Sequence, residues 1–240
     1  MLFYQPKVEC RSGRVEGFEA LVRWQHPRLG LVLPDRFIPL AEEAGLIDAV
    51  TRWVLDAAVR QWQTWRSAGM DLSLSVNLSA FDLQDPALPT FLGRLLSASG
   101  FPAQALTLEI TETAVLREPA RALDVLRQLR ALGVRASLDD FGTGYSSLAY
   151  LQQLPVNELK IERSFVRELA HEARDQAIVR STIQLGHSLG LTVVAEGVED
   201  KTTLDLLAGL GCDQAQGYLL GRPMPAAEVR RWLRASDLAA

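Results

Sequence analysis

Six short segments that read as strands in this sequence end on a group able to bind a cation or move a proton. Residues 72–76 lead into Asn77, 106–108 into Glu109, 134–138 into the adjacent pair Asp139 and Asp140, 158–159 into Lys160, 192–195 into Glu196, and 213–215 into Gln216. Parallel strands closed into a barrel bring their C-terminal ends to one mouth, so residues far apart in sequence would meet there. With Glu19 added, Asn77, Glu109 and Asp139 offer oxygen ligands only, the set that suits hard divalent cations such as magnesium or manganese. Asp140 points differently from Asp139 and could serve a second cation, since two neighbouring carboxylates repel unless something neutralises them. Lys160 could hold a phosphate oxygen or a water, and Glu196 could act as a general base or orient that water. The combined chemistry is metal-assisted hydrolysis of a phosphate ester. Each residue alone has a simpler account. Glu109 and Glu112 could be a strand end and a helix-start charge, Asp139 and Asp140 a cap and an ion-pair partner, and Lys160 a solvated charge. Their occurrence at successive strand ends favours the functional reading.

Positioning such a set requires a regular scaffold. Residues 2–8 and 15–24 read as strands joined by the turn Arg11-Ser12-Gly13-Arg14, which makes an antiparallel hairpin. A loop with Pro27, Gly30 and Pro34 follows, then a helix over 35–44 with Asp35 as its N-cap. An amphipathic helix over about 47–66 carries Trp53 and Trp62 near its surface. Strands and helices then alternate, with helices over 88–98, 119–132, 146–151, 172–189, 201–210 and 226–233. Leu123, Leu126 and Leu129 should face the sheet. Gly133, Gly190 and Gly211 fall where helices must stop. Eight strands, hairpin included, favour a closed barrel over an open sheet. The expected fold is a modified TIM (β/α)8 barrel in which the N-terminal hairpin supplies one antiparallel strand. No GxGxxG follows the first strand, against a dinucleotide fold.

The 240 residues suit one barrel domain, 1–240, and 48% hydrophobic content supplies a large core. The residues after 235 read as frayed. A net charge of −4 argues against DNA or RNA as partner. No apolar run has membrane-spanning length and no signal peptide stands at Met1, so no membrane contact and a cytoplasmic location are expected. Cys10 and Cys212 read as buried reduced thiols. His26, His171 and His187 are scattered without zinc spacing. Asp140-Phe141-Gly142 matches the kinase magnesium triplet, but no glycine-rich loop or HRD segment accompanies it. The following Gly142-Thr143-Gly144-Tyr145-Ser146-Ser147 reads as a flexible loop able to carry a ligand in and out of place.

The chain resembles the EAL-domain phosphodiesterases of bacterial cyclic di-GMP signalling. The triplet is Glu19-Ala20-Leu21, within Gly17-Phe18-Glu19-Ala20-Leu21-Val22-Arg23-Trp24. Further blocks follow in the family's order: Tyr4-Gln5-Pro6, Val76-Asn77-Leu78-Ser79, Glu109-Ile110-Thr111-Glu112, the run from Asp139 to Ser147, Leu159-Lys160-Ile161, Ala195-Glu196-Gly197-Val198-Glu199 and Gln216-Gly217-Tyr218. They cover almost the whole chain. The resemblance implies hydrolysis of cyclic di-GMP to linear pGpG with two magnesium or manganese ions. It assigns Glu19, Asn77, Glu109 and Asp139 to one metal and Asp140 to the other, with Lys160 and Glu196 activating the water. Gln5, Leu21, Arg23 and Gln216 match substrate-side positions, with Arg23 on a phosphate, and Glu112 matches the anchor of the loop 140–147. It also implies a homodimer through helices beside that loop, and a longer parent protein with a sensor or GGDEF-type domain. The family usually has a helix before the first strand, and often Asp where Asn157 and Glu162 stand here.

Two rival readings remain. Many relatives bind the nucleotide without cleaving it, so a catalytically silent receptor is the first; the intact ligand set favours turnover. An enolase-type proton abstractor, which also uses carboxylates, magnesium and lysine, is the second; the adjacent Asp139 and Asp140 with Asn77 fit two-metal phosphate chemistry better.

Overall fold

The computed structural model describes residues 1–142 and 151–235. Strands β1 (Leu2–Glu9) and β2 (Val15–Val22) pair antiparallel, with Gln5 opposite Glu19. From β2 onward the staves are parallel: β5 (Ser73–Asn77), β6 (Leu106–Thr111), β7 (Arg135–Phe141), β8 (Glu158–Ile161), β9 (Thr192–Ala195) and β10 (Gln214–Ala215). The short β10 returns to β1, antiparallel, and closes the barrel at Val8 with Ala215 and Glu9 with Gln214. The eight-strand barrel with one reversed stave is therefore as the sequence implies, and β1 is the reversed one. A further strand, β11 (Met224–Pro225), adds to the other end of β1.

Side-chain alternation along the strands divides the molecule into two environments. Leu74 and Val76, Leu106, Leu108 and Ile110, Leu138 and Leu159 belong to a continuous apolar layer with Val54, Leu55, Ala58 and Trp62 of the helix Ile47–Ser67, and with Leu92 and Leu126. A second cluster around Ile161, Val193, Ala195 and Ile183 covers the other flank. Burying each larger side chain contributes about 1.5–3 kcal/mol. The intervening residues Ser75, Glu109, Ser137, Glu158 and Lys160 are buried too, yet polar. The lumen is thus a polar core inside an apolar sleeve.

Several local expectations are corrected. Asp35 is not the N-cap: Leu33 is, because Pro34 occupies the first helical position of Pro34–Glu43, where its missing N–H costs nothing. The second strand ends at Val22. Trp24–His26 and Gly30–Val32, placed in a loop by the sequence, form their own small antiparallel hairpin (β3, β4). Trp62 is 2% exposed and packs against Phe101 with the rings tilted at 43°, whereas Trp53 is exposed. Leu126 and Leu129 are buried and Leu123 half-buried. The short helices Glu112–Arg117 and Arg163–Arg167 have no periodic signature in the sequence. Gly133, Gly190 and Gly211 take positive φ where the preceding helices end. All but the last residue of the expected helix 146–151, and most of the loop before it, lie outside the described residues, as does the expected frayed end after 235.

Candidate active site

Glu19 sits on the second stave, buried, and two amides clasp its carboxylate. Asn77 Nδ2 donates to Oε1 at 2.6 Å and Gln216 Nε2 to Oε2 at 2.6 Å. Gln216 also donates to Gln5 Oε1 at 3.2 Å, and Gln5 Nε2 donates to the Gly221 carbonyl at 3.1 Å. The backbone beside Gln216 runs so close to Val198 that a Cβ on Gly217 would lie 2.1 Å from the Val198 carbonyl oxygen. Burial, with Glu109 nearby, pushes the Glu19 carboxyl above its ordinary range.

Lys160, 1% exposed, is the hub below the mouth. Its Nζ lies 2.7 Å from Glu109 Oε2, 3.1 Å from Asp139 Oδ2 and 2.5 Å from Glu196 Oε1. Burial alone would favour a neutral amine, but the surrounding carboxylates outweigh it and hold the ammonium well above its usual value. Burial also works against an ionised Glu109, yet Lys160 and Lys7 overcome it and hold the carboxyl at about 2. Burial pushes Glu196 up to about 8, with Lys160 opposing and Asp139 and Glu19 assisting.

Asp139 and Asp140 are neighbours in one strand, so simple alternation would send them to opposite faces. The β7–β8 register shifts between Leu138 and Phe141, and Asp140 adopts φ 56°, the left-handed region that Asp tolerates better than most residues. This bulge brings ligand atoms of Asp139, Asp140 and Glu196 within 4.8 Å of one another. Burial, then Asp139, raises the Asp140 carboxyl.

Two clefts meet over these residues. The larger, about 980 Å³, is lined by Glu19, Leu21, Asn77, Thr113, Arg117 and Asp140 among others; the smaller, about 280 Å³, by Gln5, Asp139, Lys160, Glu196, Gln216 and Tyr218 among others. Glu19 and Arg163 line both. Glu109 lies beneath them, 1% exposed. Arg23 lines neither: its Nη1 donates to the Val22 carbonyl at 2.8 Å and its guanidinium stands 5.9 Å from the Phe3 ring centre. Glu112 is buried, and among the described residues neither carboxylate oxygen has a donor. Asn157 accepts the Ala136 N–H at 3.1 Å, which the family's Asp could equally do, and Glu162 caps the helix Arg163–Arg167 through the Ser164 N–H at 2.8 Å.

The sequence reading missed Arg163 and the buried lysine Lys7. Arg163 follows a strand that already ended on Lys160 and read as an ordinary surface charge. Lys7 had a usable signal: two residues from Gln5 in a strand, it shares that residue's face.

The residues fit a divalent cation. The cluster Asp139, Asp140 and Glu196 offers oxygen only. Glu109 Oε1 is buried with no hydrogen-bond donor among the described residues, so its lone pairs are available.

Comparison with known proteins agrees with this geometry. The EAL-domain profile matches residues 1–223. The bifunctional diguanylate cyclase/cyclic di-GMP phosphodiesterase MucR of Pseudomonas aeruginosa is 47% identical over 230 residues, covering 95% of this chain and 34% of that protein. The cyclic di-GMP phosphodiesterase PA2567 of the same organism is 41% identical over 233 residues, covering 97% of this chain and 40% of that protein. A solved structure described as the PaMucR phosphodiesterase in complex with c-di-GMP superposes with a TM-score of 0.91 at 47% identity, covering 95% of this chain and 93% of that one. The chain spans about a third of the length of the curated relatives it matches. Barrel, reversed stave and profile agree, and this chain belongs to the EAL-domain family.

Proposed function

We propose that this chain is a cyclic di-GMP phosphodiesterase that opens one phosphodiester of the ring to give linear 5'-pGpG. The observation that carries this reading is the convergence of Glu109, Asp139 and Glu196 on one buried ammonium, Lys160, where two clefts meet. A cyclic dinucleotide has two base-bearing lobes joined by phosphates, and paired clefts with a reactive junction suit that shape.

In this reading Glu19, Asn77, Glu109 and Asp139 hold one magnesium or manganese ion and Asp140 helps hold a second. When bound, the two ions supply positive charge to the phosphate oxygens and acidify the attacking water. The chain's own groups do the rest. Glu196 Oε1 takes a proton from the water as its oxygen bonds to phosphorus, and Lys160, 2.5 Å away, balances the charge on that carboxylate. The bond from phosphorus to the ribose oxygen breaks, that oxygen takes a proton from solvent, and Glu196 returns its own to solvent. Asn77 and Gln216 hold the Glu19 carboxylate in one orientation. Gln5, Leu21 and Gln216 border the ligand, Arg23 turns from the Val22 carbonyl to a phosphate, and Glu112 anchors the segment after Asp140.

The test is incubation of the chain with cyclic di-GMP in magnesium, in manganese and in chelator, following pGpG by chromatography. Product that requires the metal supports the reading. Binding of the nucleotide without product in either metal replaces it with the receptor reading. We further propose that residues 1–240 act as one catalytic module of a larger cytoplasmic signalling protein and that the module pairs with a second copy; light scattering at the monomer mass would remove the pairing. No described helix is long and apolar enough to cross a membrane.

A further inference from the structure

The barrel lumen below the site holds a second ammonium that the chemistry above does not use. Lys7, on the reversed stave, is 3% exposed, and so is Glu158 at the start of β8. Lys7 Nζ donates to Glu158, 3.2 Å from Oε1 and 3.5 Å from Oε2, and lies 3.5 Å from Glu109 Oε1. With Lys160 at 2.7 Å from Glu109 Oε2, four buried groups from two parallel staves and the reversed one alternate in sign: Glu158, Lys7, Glu109, Lys160. Burying such charges costs more than apolar side chains of equal volume would, so stability alone does not account for them.

We propose that Lys7 and Glu158 form a positioning pair for Glu109, which in our functional reading faces the metal. Glu109 has a cation at each oxygen, and together they fix its carboxylate plane across the lumen. Lys7 hydrogen-bonds Glu158 and lies 3.5 Å from Glu109 Oε1, an oxygen that accepts no geometrically formed hydrogen bond among the described residues. That oxygen is oriented while its lone pairs stay available to a cation. Glu158 therefore matters as much as Lys7: without it, the ammonium would donate to Oε1 and compete with the metal.

The experiment compares the full chain with Lys7→Met, Glu158→Gln and the double variant K7M/E158Q. Readouts are the Mn²⁺ isotherm by calorimetry, melting in chelator, and kcat and KM for cyclic di-GMP. The double variant removes one charge of each sign, so net charge in the lumen is unchanged. Loss of a partner that orients a metal ligand typically costs about 10–100-fold in metal affinity or activity. We expect the double variant to melt close to the parent, to bind Mn²⁺ about tenfold more weakly and to lose about tenfold in kcat at unchanged KM. Glu158→Gln, which keeps Lys7, should weaken Mn²⁺ binding while staying folded, and it decides the matter if the double variant does not fold. Parent-like Mn²⁺ affinity in the folded variants overturns the proposal and leaves Lys7 as a counterion to Glu158. The isotherm needs no substrate. A parent that binds Mn²⁺ without hydrolysing cyclic di-GMP therefore sinks the phosphodiesterase reading while the positioning role is still read, and a parent without an isotherm overturns both.

Discussion

An ammonium carries three hydrogens, and Lys160 stands among more carboxylates than that. Glu109, Asp139 and Glu196 each lie within 3.1 Å of Nζ, and Glu19 adds its field from across the mouth. Shared among these acids, Lys160 does not offset the burial of Glu196, whose carboxyl is pushed up to about 8. In the proposed reading a divalent cation would reverse this and make Glu196 a proton acceptor. Glu196→Gln keeps the size and removes the acceptor, so kcat should fall about 10²–10⁴-fold with cyclic di-GMP affinity retained, as read by turnover and by titration with manganese present. The same residues set a pH dependence of stability. The folded-state value of Glu196 lies above its unfolded value of 4.5, so its contribution is intact below 4.5 and lost as pH rises through about 8. Glu109 is the reverse case: its contribution is present above 4.5 and lost as pH falls toward 2. In chelator, melting temperature should therefore decline from about pH 5 to 8 and also below about pH 4.5. Manganese should flatten the upper decline; an upper arm equally steep with manganese would refute the linkage.

The elements differ in how openly the sequence displays them. Strands and long helices follow from periodicity, and the helix Lys201–Leu210 appears at its expected bounds. The site residues at strand ends were legible because apolar runs that stop on acids or lysine stand out. The hairpin Trp24–His26 with Gly30–Val32 was not, since three-residue strands are too short to show alternation and Pro27 reads as loop. Nor was the bulge in β7. Alternation predicts that Asp139 and Asp140 diverge, and only the backbone shows that a left-handed residue folds the second carboxylate back toward the first. Substitutions at 140 can separate backbone from charge. Asp140→Asn suits the left-handed region and should leave melting nearly unchanged while activity drops. Asp140→Val adds a backbone penalty of about 1–2 kcal/mol, seen as a lower denaturation midpoint. Equal stability of the two variants would show that the conformation carries no strain.

At the scale of the whole molecule, the polar lumen depends on what fills the mouth. A cation that binds only the folded barrel stabilises it by mass action, about 2.7 kcal/mol at one hundred times Kd. For a chain of this size that is on the order of 5–10 °C in melting temperature. Chelation should lower the melting temperature by that amount, by calorimetry, and magnesium or manganese should restore it. The reversed stave has another effect, on the order in which the site can come into being. The first strand pairs with the second after a turn of a few residues, yet barrel closure waits for Ala215, and the amide that clasps Glu19 comes from Gln216, 197 residues further along the chain. Contacts of such long sequence separation form late. Glu19 therefore precedes by 197 residues the amide that clasps it, so in the proposed reading metal capture would wait for the final closing of the barrel.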